Sequence, residues 1–246
     1  MSESRIAVVT GAASGIGAAT ARRLAADGAR VALLGRRGHR LTELARQLDG
    51  RGLAIITDVT DPAAVDAAAA AVHDAFGPAD IVVNAAGVML PNPIGAGRTD
   101  EWARMIDTNL TGALHVMRAF GPGLLGAAAQ GRPADLVNVS SIGAHLAFPD
   151  YAVYSATKAA LSMLSESVRT EFGPQRVRVT AIEPGLTRTE LGEHLDNAAL
   201  SRQLAAMFEV IDALSAEDVA DLIAYVTSRP RHVNLSRLVV LPVNQA

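Results

Sequence analysis

The chain has no cysteine. A disulfide framework, a thiol nucleophile and any cysteine-based zinc or iron–sulfur site are therefore excluded, and a cytoplasmic location is expected. Aromatic residues make up only 4% of the 246 positions, so the interior has to be filled by aliphatic and small side chains. No apolar run reaches the roughly 18 residues that a membrane-spanning helix needs; the alanine-rich stretch Ala63–Val72 is short and broken by Asp66. No basic start leads into a long apolar segment, so no signal peptide is expected. Neither sign of charge dominates: 22 Lys and Arg face 25 Asp and Glu, for a net charge of −3. That is not the basic footprint of a nucleic-acid binder or of a membrane-surface protein. The histidines show no metal-ligand spacing, and no metal is expected.

Half of the residues are hydrophobic, enough for a large core. Short apolar runs recur at Ile6–Thr10, Val31–Leu34, Ala54–Thr57, Ile81–Asn84, Leu136–Ser140, Val177–Ile182 and Leu238–Leu241. They are nearly continuous rather than alternating, as expected of parallel strands covered on both faces by helices. Helical patterns fill the gaps: Ile16–Asp27, His39–Leu48, Pro62–Phe76, Glu101–Phe120, Ala152–Phe172 and Glu217–Thr227. Asp61-Pro62 reads as an N-cap followed by proline at the first helical position, and Ser215 with Asp218 as a capping box. There is no repeat, linker tract or composition shift, so a single doubly wound α/β domain over residues 1–246 is expected. The least regular stretch, 187–203, reads as a substrate lid.

The first strand runs directly into Thr10-Gly11-Ala12-Ala13-Ser14-Gly15-Ile16-Gly17, and a helix follows. Glycines there permit a tight turn and close approach to a pyrophosphate, while the helix N-terminus offers free N–H donors. The Gly11, Gly15, Gly17 spacing differs from G-x-G-x-x-G and resembles the cofactor loop of the short-chain dehydrogenase/reductase family. Other segments resemble the same family in order: Asp58-Val59 after the third strand, Asn84-Ala85-Ala86-Gly87 ending the fourth, and Asn109 in Thr108-Asn109-Leu110. Ser141, Tyr154 and Lys158 follow as its S…Y-x-x-x-K set, and then Pro184-Gly185 with Thr187 and Thr189. The resemblance implies a Rossmann-type domain with a seven-stranded parallel sheet. It also implies cofactor contacts from Gly11, Ser14, Gly15, Ile16, Gly17, Asp58, Val59, Asn84, Ala85, Gly87, Tyr154, Lys158, Pro184, Gly185, Thr187 and Thr189.

Tyr154 and Lys158 are four apart in a helical segment and so share a face. A free tyrosine is a poor acid–base near neutrality; an ammonium beside it, or the positive ring of an oxidised nicotinamide, is expected to lower its pKa. Ser141 precedes Tyr154 by thirteen residues, the family spacing, which selects it over Ser140 as the hydroxyl that bonds the reacting oxygen. Asn109 completes the implied catalytic set: in the family this residue distorts its helix and supports a proton relay beside the lysine.

The second strand ends Leu34-Gly35-Arg36-Arg37. A carboxylate at Gly35 would hold ribose hydroxyls and repel a 2′-phosphate; its absence, with Arg36 and Arg37 following, favours NADP(H) over NAD(H). Arg37 taken alone also suits a solvated loop. The segments Trp102–Asn109, Ile182–Gly185 and Arg229–Asn234 are similar to a subgroup containing serine and 3-hydroxy acid dehydrogenases and clavulanic acid dehydrogenase. Candidate substrate residues are Met89, His145, Phe148, Tyr151, Leu186 and Arg188. The resemblance implies hydride exchange between NADP(H) and a small carbonyl or alcohol, in a homotetramer or a dimer. A 3-oxoacyl-carrier-protein reductase is the alternative, and a non-catalytic NADP sensor a remote one.

Overall fold

Runs rich in valine, isoleucine and leucine become strands, and each but the last is followed by a helix that returns the chain to the same edge of the sheet. The computed structural model describes residues 4–193 and 195–245; residues 1–3 and 246, and residue 194 within the expected lid, lie outside the described residues. The strands are β1 (Ile6–Thr10), β2 (Arg30–Gly35), β3 (Gly52–Ile56), β4 (Ile81–Asn84), β5 (Asp135–Val139), β6 (Arg178–Pro184) and β7 (Arg237–Val240). They form one seven-stranded sheet in the order β3-β2-β1-β4-β5-β6-β7, with every pairing parallel. The helices are α1 (Gly15–Ala26), α2 (Gly38–Arg46), α3 (Pro62–Phe76), α4 (Thr99–Ile106), α5 (Gly112–Ala129), α6 (Ala152–Phe172), α7 (Ala198–Val210) and α8 (Ala216–Thr227).

Alternation along each strand divides the core between the two faces. Ile6 and Val8 of β1 pack with α3, α5 and α6 through Val65, Val116 and Leu161. Ala7 and Val9 pack with α1, α2 and α8 through Ala21, Leu41 and Ile223. The caps form as the sequence predicts: the Asp61 carboxylate accepts from the Ala63 and Ala64 amides, and Ser215 and Asp218 make the reciprocal capping box.

Two helical expectations are corrected. The helix expected to end at Phe120 continues through Gly121-Pro122-Gly123 to Ala129. Pro122 removes one intrahelical donor, but Leu124, Ala127 and Ala128 bury their side chains in the core beyond it, and that burial outweighs the lost bond. The same pattern is also not one continuous α-helix, because Asp107–Thr111 forms a π-turn between α4 and α5. The helix within the expected loop-and-short-helix lid, 187–203, is α7, which is capped by Asn197 and runs thirteen residues, beyond the expected end at 203.

Sheet order reverses direction between β1 and β4. The Thr10 hydroxyl holds the divergent ends there by accepting from the Ala85 and Ala86 amides at 3.0 and 3.1 Å. A crevice opens at such a switch point, outside the C-terminal ends of the strands. At the opposite edge a buried ionic network ties the strand starts together: Asp135 meets Arg178 and Arg5, and Asp80 meets Arg5 and Arg132, all at 2.8–2.9 Å. Among the described residues, no helix is long and apolar enough to cross a membrane.

Candidate active site

The crevice starts at the turn after β1. Gly11 and Gly15 adopt positive φ, +66° and +51°. A Cβ on Gly11 would stand 2.7 Å from the Ala85 carbonyl oxygen, and one on Gly17 would stand 2.5 Å from that of Gly11. Only glycine permits this packing of the turn against β4 and its own helix. The open N-terminus of α1 thereby faces the crevice; its cap residue Ser14 is extended and makes no side-chain cap bond. The crevice has a volume of about 310 Å³, and Arg36, Arg37, Asp58, Val59, Tyr154, Lys158 and Pro184 also line it. A glycine cradle, free helix amides and guanidinium groups fit a dinucleotide with its phosphates.

Of the residues expected to touch a cofactor, the structure brings all but Asn84 to this one crevice. Asn84 is buried, its amide donating to Asn138 Oδ1 at 2.9 Å, and Asn138 in turn donates to Ser165. It is part of an amide ladder tying β4 to β5 and α6. Asp58 accepts from the Thr60 amide and hydroxyl at 3.0 and 2.8 Å. Burial opposes its ionisation, but the Thr60 bonds and Arg36 hold its carboxyl below the ordinary value.

At the floor, α6 presents Tyr154 and Lys158 together, 8% and 6% exposed. Lys158 Nζ lies 5.8 Å from the Tyr154 ring centroid and donates to the Val139 carbonyl at 2.9 Å. Ser141 caps a 3₁₀ turn, Ile142–Ala144, with its hydroxyl accepting from the Gly143 amide at 3.0 Å, and it lines the same crevice as Tyr154. Asn109 occupies the π-turn. Its Oδ1 accepts from the Val88 amide at 2.8 Å, and its Nδ2 donates to the Val88 carbonyl and to Thr157 Oγ1. The wider turn projects Asn109 inward to brace the segment that follows Gly87.

The expected lowering of the tyrosine pKa is not a property of this structure. Burial pushes the Tyr154 phenol up to about 12, against the pull of the Ser141 hydroxyl. Burial likewise pushes the Lys158 ammonium down to about 8. At neutral pH Tyr154 is therefore a phenol that holds its proton. The Lys158 shift has a consequence for stability. Its folded pKa is depressed from 10.5 to about 8, so the folded state carries the full penalty of a buried ammonium below pH 8. That penalty fades between about 8 and 10.5 and is absent above. Lys158→Met is expected to stabilise the cofactor-free protein by about 2 kcal/mol at pH 7, with the gain vanishing near pH 10.5. Thermal melts of both proteins across that range check this; a gain independent of pH contradicts it.

None of the six candidate substrate residues lines the cofactor crevice. Phe148, Tyr151 and Tyr154 form an edge-to-face ladder with centroids 6.3 and 6.4 Å apart, and Met89 and Tyr151 pack beside Val88 and Tyr154. The aromatic wall therefore leads away from Tyr154. His145 Nε2 lies 2.8 Å from the buried Glu183 carboxylate. The Leu186 amide donates to Gln245 Oε1 at 2.8 Å. Arg188 stacks its guanidinium over Phe208 at 5.0 Å.

Sequence reasoning missed Glu190 and Arg40. Glu190 enters the crevice from the 187–203 segment and bonds Arg37 at 2.7 Å and Arg40 at 2.6 Å, while Arg37 also donates to the Ser14 hydroxyl at 2.5 Å. Arg37 is thus tied into the crevice wall, with its side chain still 38% exposed. No local motif announces a contact between residues some 150 positions apart.

Comparison with known proteins agrees with this architecture. Residues 5–200 match the short chain dehydrogenase family. A serine 3-dehydrogenase from Agrobacterium fabrum is 38% identical over 242 residues, covering 97% of this chain and 94% of the relative. The closed form of a serine dehydrogenase complexed with NADP⁺ superposes with a TM-score of 0.91 at 32% identity, over 98% of this chain and 96% of that one. A 3-ketoacyl-(acyl-carrier-protein) reductase from Brucella melitensis, complexed with NADH, gives 0.87 at 28% identity and 97% of both chains. With its parallel sheet, its glycine turn and a full-length relative at this identity, the chain is an oxidoreductase that belongs to the short-chain dehydrogenase/reductase family.

Proposed function

We propose that this enzyme interconverts a small hydroxy acid and the corresponding oxo acid with NADP(H), using Tyr154 as the acid–base. The observation that carries this reading is the burial of Tyr154 and Lys158 together, Lys158 Nζ 5.8 Å from the tyrosine ring centroid, at the floor of the crevice that begins at Gly11. When bound, the nicotinamide cofactor supplies or accepts the hydride. The Tyr154 phenol holds the proton that the substrate oxygen receives on reduction. Ser141, which lines the crevice with Tyr154, orients that oxygen. Lys158 adds positive charge beside the phenol, favouring the phenolate when the proton leaves. Asn109 positions the backbone at Val88, next to Gly87. The segment 187–203 acts as the lid within a single domain spanning the chain. Exposed Leu114 on α5 and Met163 on α6, 42% and 67% accessible, support an oligomer that covers these helices.

The preference for NADP(H) rests on Gly35, Arg36 and Arg37. A Cβ at Gly35 would meet Leu41 Cδ2 at 3.6 Å and Ala13 Cβ at 3.8 Å, so an aspartate is accommodated. Gly35→Asp is expected to weaken NADPH binding about 30- to 100-fold through like-charge repulsion and to strengthen NADH binding. Equilibrium titration of both cofactors checks this; an unchanged affinity ratio contradicts it.

A second reading, reduction of a carrier-bound 3-oxoacyl chain, is favoured by the likeness to the Brucella melitensis reductase. NADPH absorbance decides between them. The expected result is turnover with small hydroxy acids or their oxo acids and little with carrier-bound 3-oxoacyl thioesters. The reverse ranking favours the second reading, and no turnover with any carbonyl or alcohol defeats both.

A further inference from the structure

Glu190 occupies an unusual place for an acidic residue. Its two carboxylate oxygens accept from Arg37 and from Arg40 at 2.6–2.7 Å. Arg37 also holds Ser14, the cap residue of α1. These residues directly follow the end of β2, where the adenosine ribose is recognised in dinucleotide folds. A carboxylate thus sits in a cluster of guanidinium and hydroxyl donors that suits a phosphate. The Arg37 and Arg40 contacts hold Glu190 ionised, its pKa below the ordinary carboxylate value. The segment that carries Glu190 is fastened at its other end as well, by Arg98 to Asp196 at 2.8 Å and by Asn197 to Asn92 at 3.0 Å.

We infer that Glu190 is a cofactor-discriminating residue whose carboxylate fills the anion site between Arg37 and Arg40 until a 2′-phosphate displaces it. This rests on the NADP(H) reading above and adds to it a competitor built into the chain. NADPH carries a dianionic group that outbids a single carboxylate for two guanidinium groups. NADH carries none, so Glu190 stays where it is and the crevice-side fastening of the lid persists. Binding of the phosphorylated cofactor and release of that fastening are then one exchange of anions.

The test is calorimetric titration of NADPH and of NADH into the wild type, Glu190→Gln and Glu190→Ala. Glu190 is partly exposed, and thermal melts establish that each variant is folded. The expected result is NADPH binding tightened about fivefold in both variants, the size of a partly exposed ion-pair network, with NADH changed by less than about twofold. The fragments 2′-AMP and 5′-AMP follow the same division, with only the former tightened. NADPH affinity unchanged or weakened, in a wild type that still prefers NADPH, overturns the role of Glu190 and leaves the cofactor reading standing. Equal tightening of both cofactors overturns it too, because Glu190 then acts on the lid alone. A wild type that binds NADPH and NADH equally overturns the cofactor reading and this inference with it.

Discussion

Tyr154→Phe is expected to lower turnover by about 10² to 10⁴-fold, the contribution of a positioned acid–base, while NADPH affinity stays within about threefold. The substitution deletes one oxygen and keeps the ring, whose edge-to-face contact with Tyr151 holds its place. What disappears is the proton store. Burial pushes the phenol pKa up to about 12, so at neutral pH the wild type carries the proton that the proposed reduction draws on. In the proposed mechanism the oxidative direction requires that proton to leave, and the Lys158 ammonium, its pKa pushed down to about 8 by burial, is the charge proposed to assist it. Steady-state rates by NADPH absorbance and affinity by fluorescence separate the two effects. Unchanged turnover sinks the assignment, and a joint loss of turnover and binding places Tyr154 in cofactor binding instead.

Asp135→Ala is expected to destabilise the fold by about 3–5 kcal/mol and to lower the melting temperature by about 10 °C or more. Asp135 is 2% exposed and Arg178 4%. Asp135 Oδ2 accepts from Arg178 and from Arg5 at 2.8 Å, and Arg178 Nε stands 2.8 Å from Oδ1. Removing the carboxylate leaves a buried guanidinium with only carbonyl partners, those of Thr227, Arg229 and Pro230. Arg178→Met on the same background is expected to recover part of the loss, since the unpaired charge goes with it. The network lies at the edge of the sheet away from the crevice, so turnover of the folded Asp135→Ala protein at low temperature should match the wild type. A melting temperature within about 2 °C of the wild type contradicts the account of the network.

Much of this was legible along the chain because it is local. The turn Gly11–Gly17, the Tyr154–Lys158 pair and the caps at Asp61 and Ser215 are each set by neighbours in sequence, and the structure forms them as written. Continuous apolar runs announced the parallel sheet. The misses are all cases in which tertiary contact decides. Pro122 looks like a stop until Leu124 is seen to be buried. Asn84 lies off the crevice lining because Asn138 stands opposite it and takes its amide. The Tyr154 pKa was judged from positive charge beside it, the ammonium or an oxidised nicotinamide ring, whereas burial is the largest effect in the structure. Glu190 meets Arg37 only because the 187–203 segment folds back over α1 and α2.

The most direct test of the central claim is a crystal structure with NADP⁺ and a hydroxy acid substrate. The account predicts pyrophosphate on the Gly11–Gly17 turn, the substrate oxygen within hydrogen-bond reach of both Tyr154 and Ser141, and the reacting carbon about 3–3.5 Å from the nicotinamide carbon that takes the hydride. A cofactor bound outside this crevice, or a substrate oxygen out of reach of Tyr154, contradicts it.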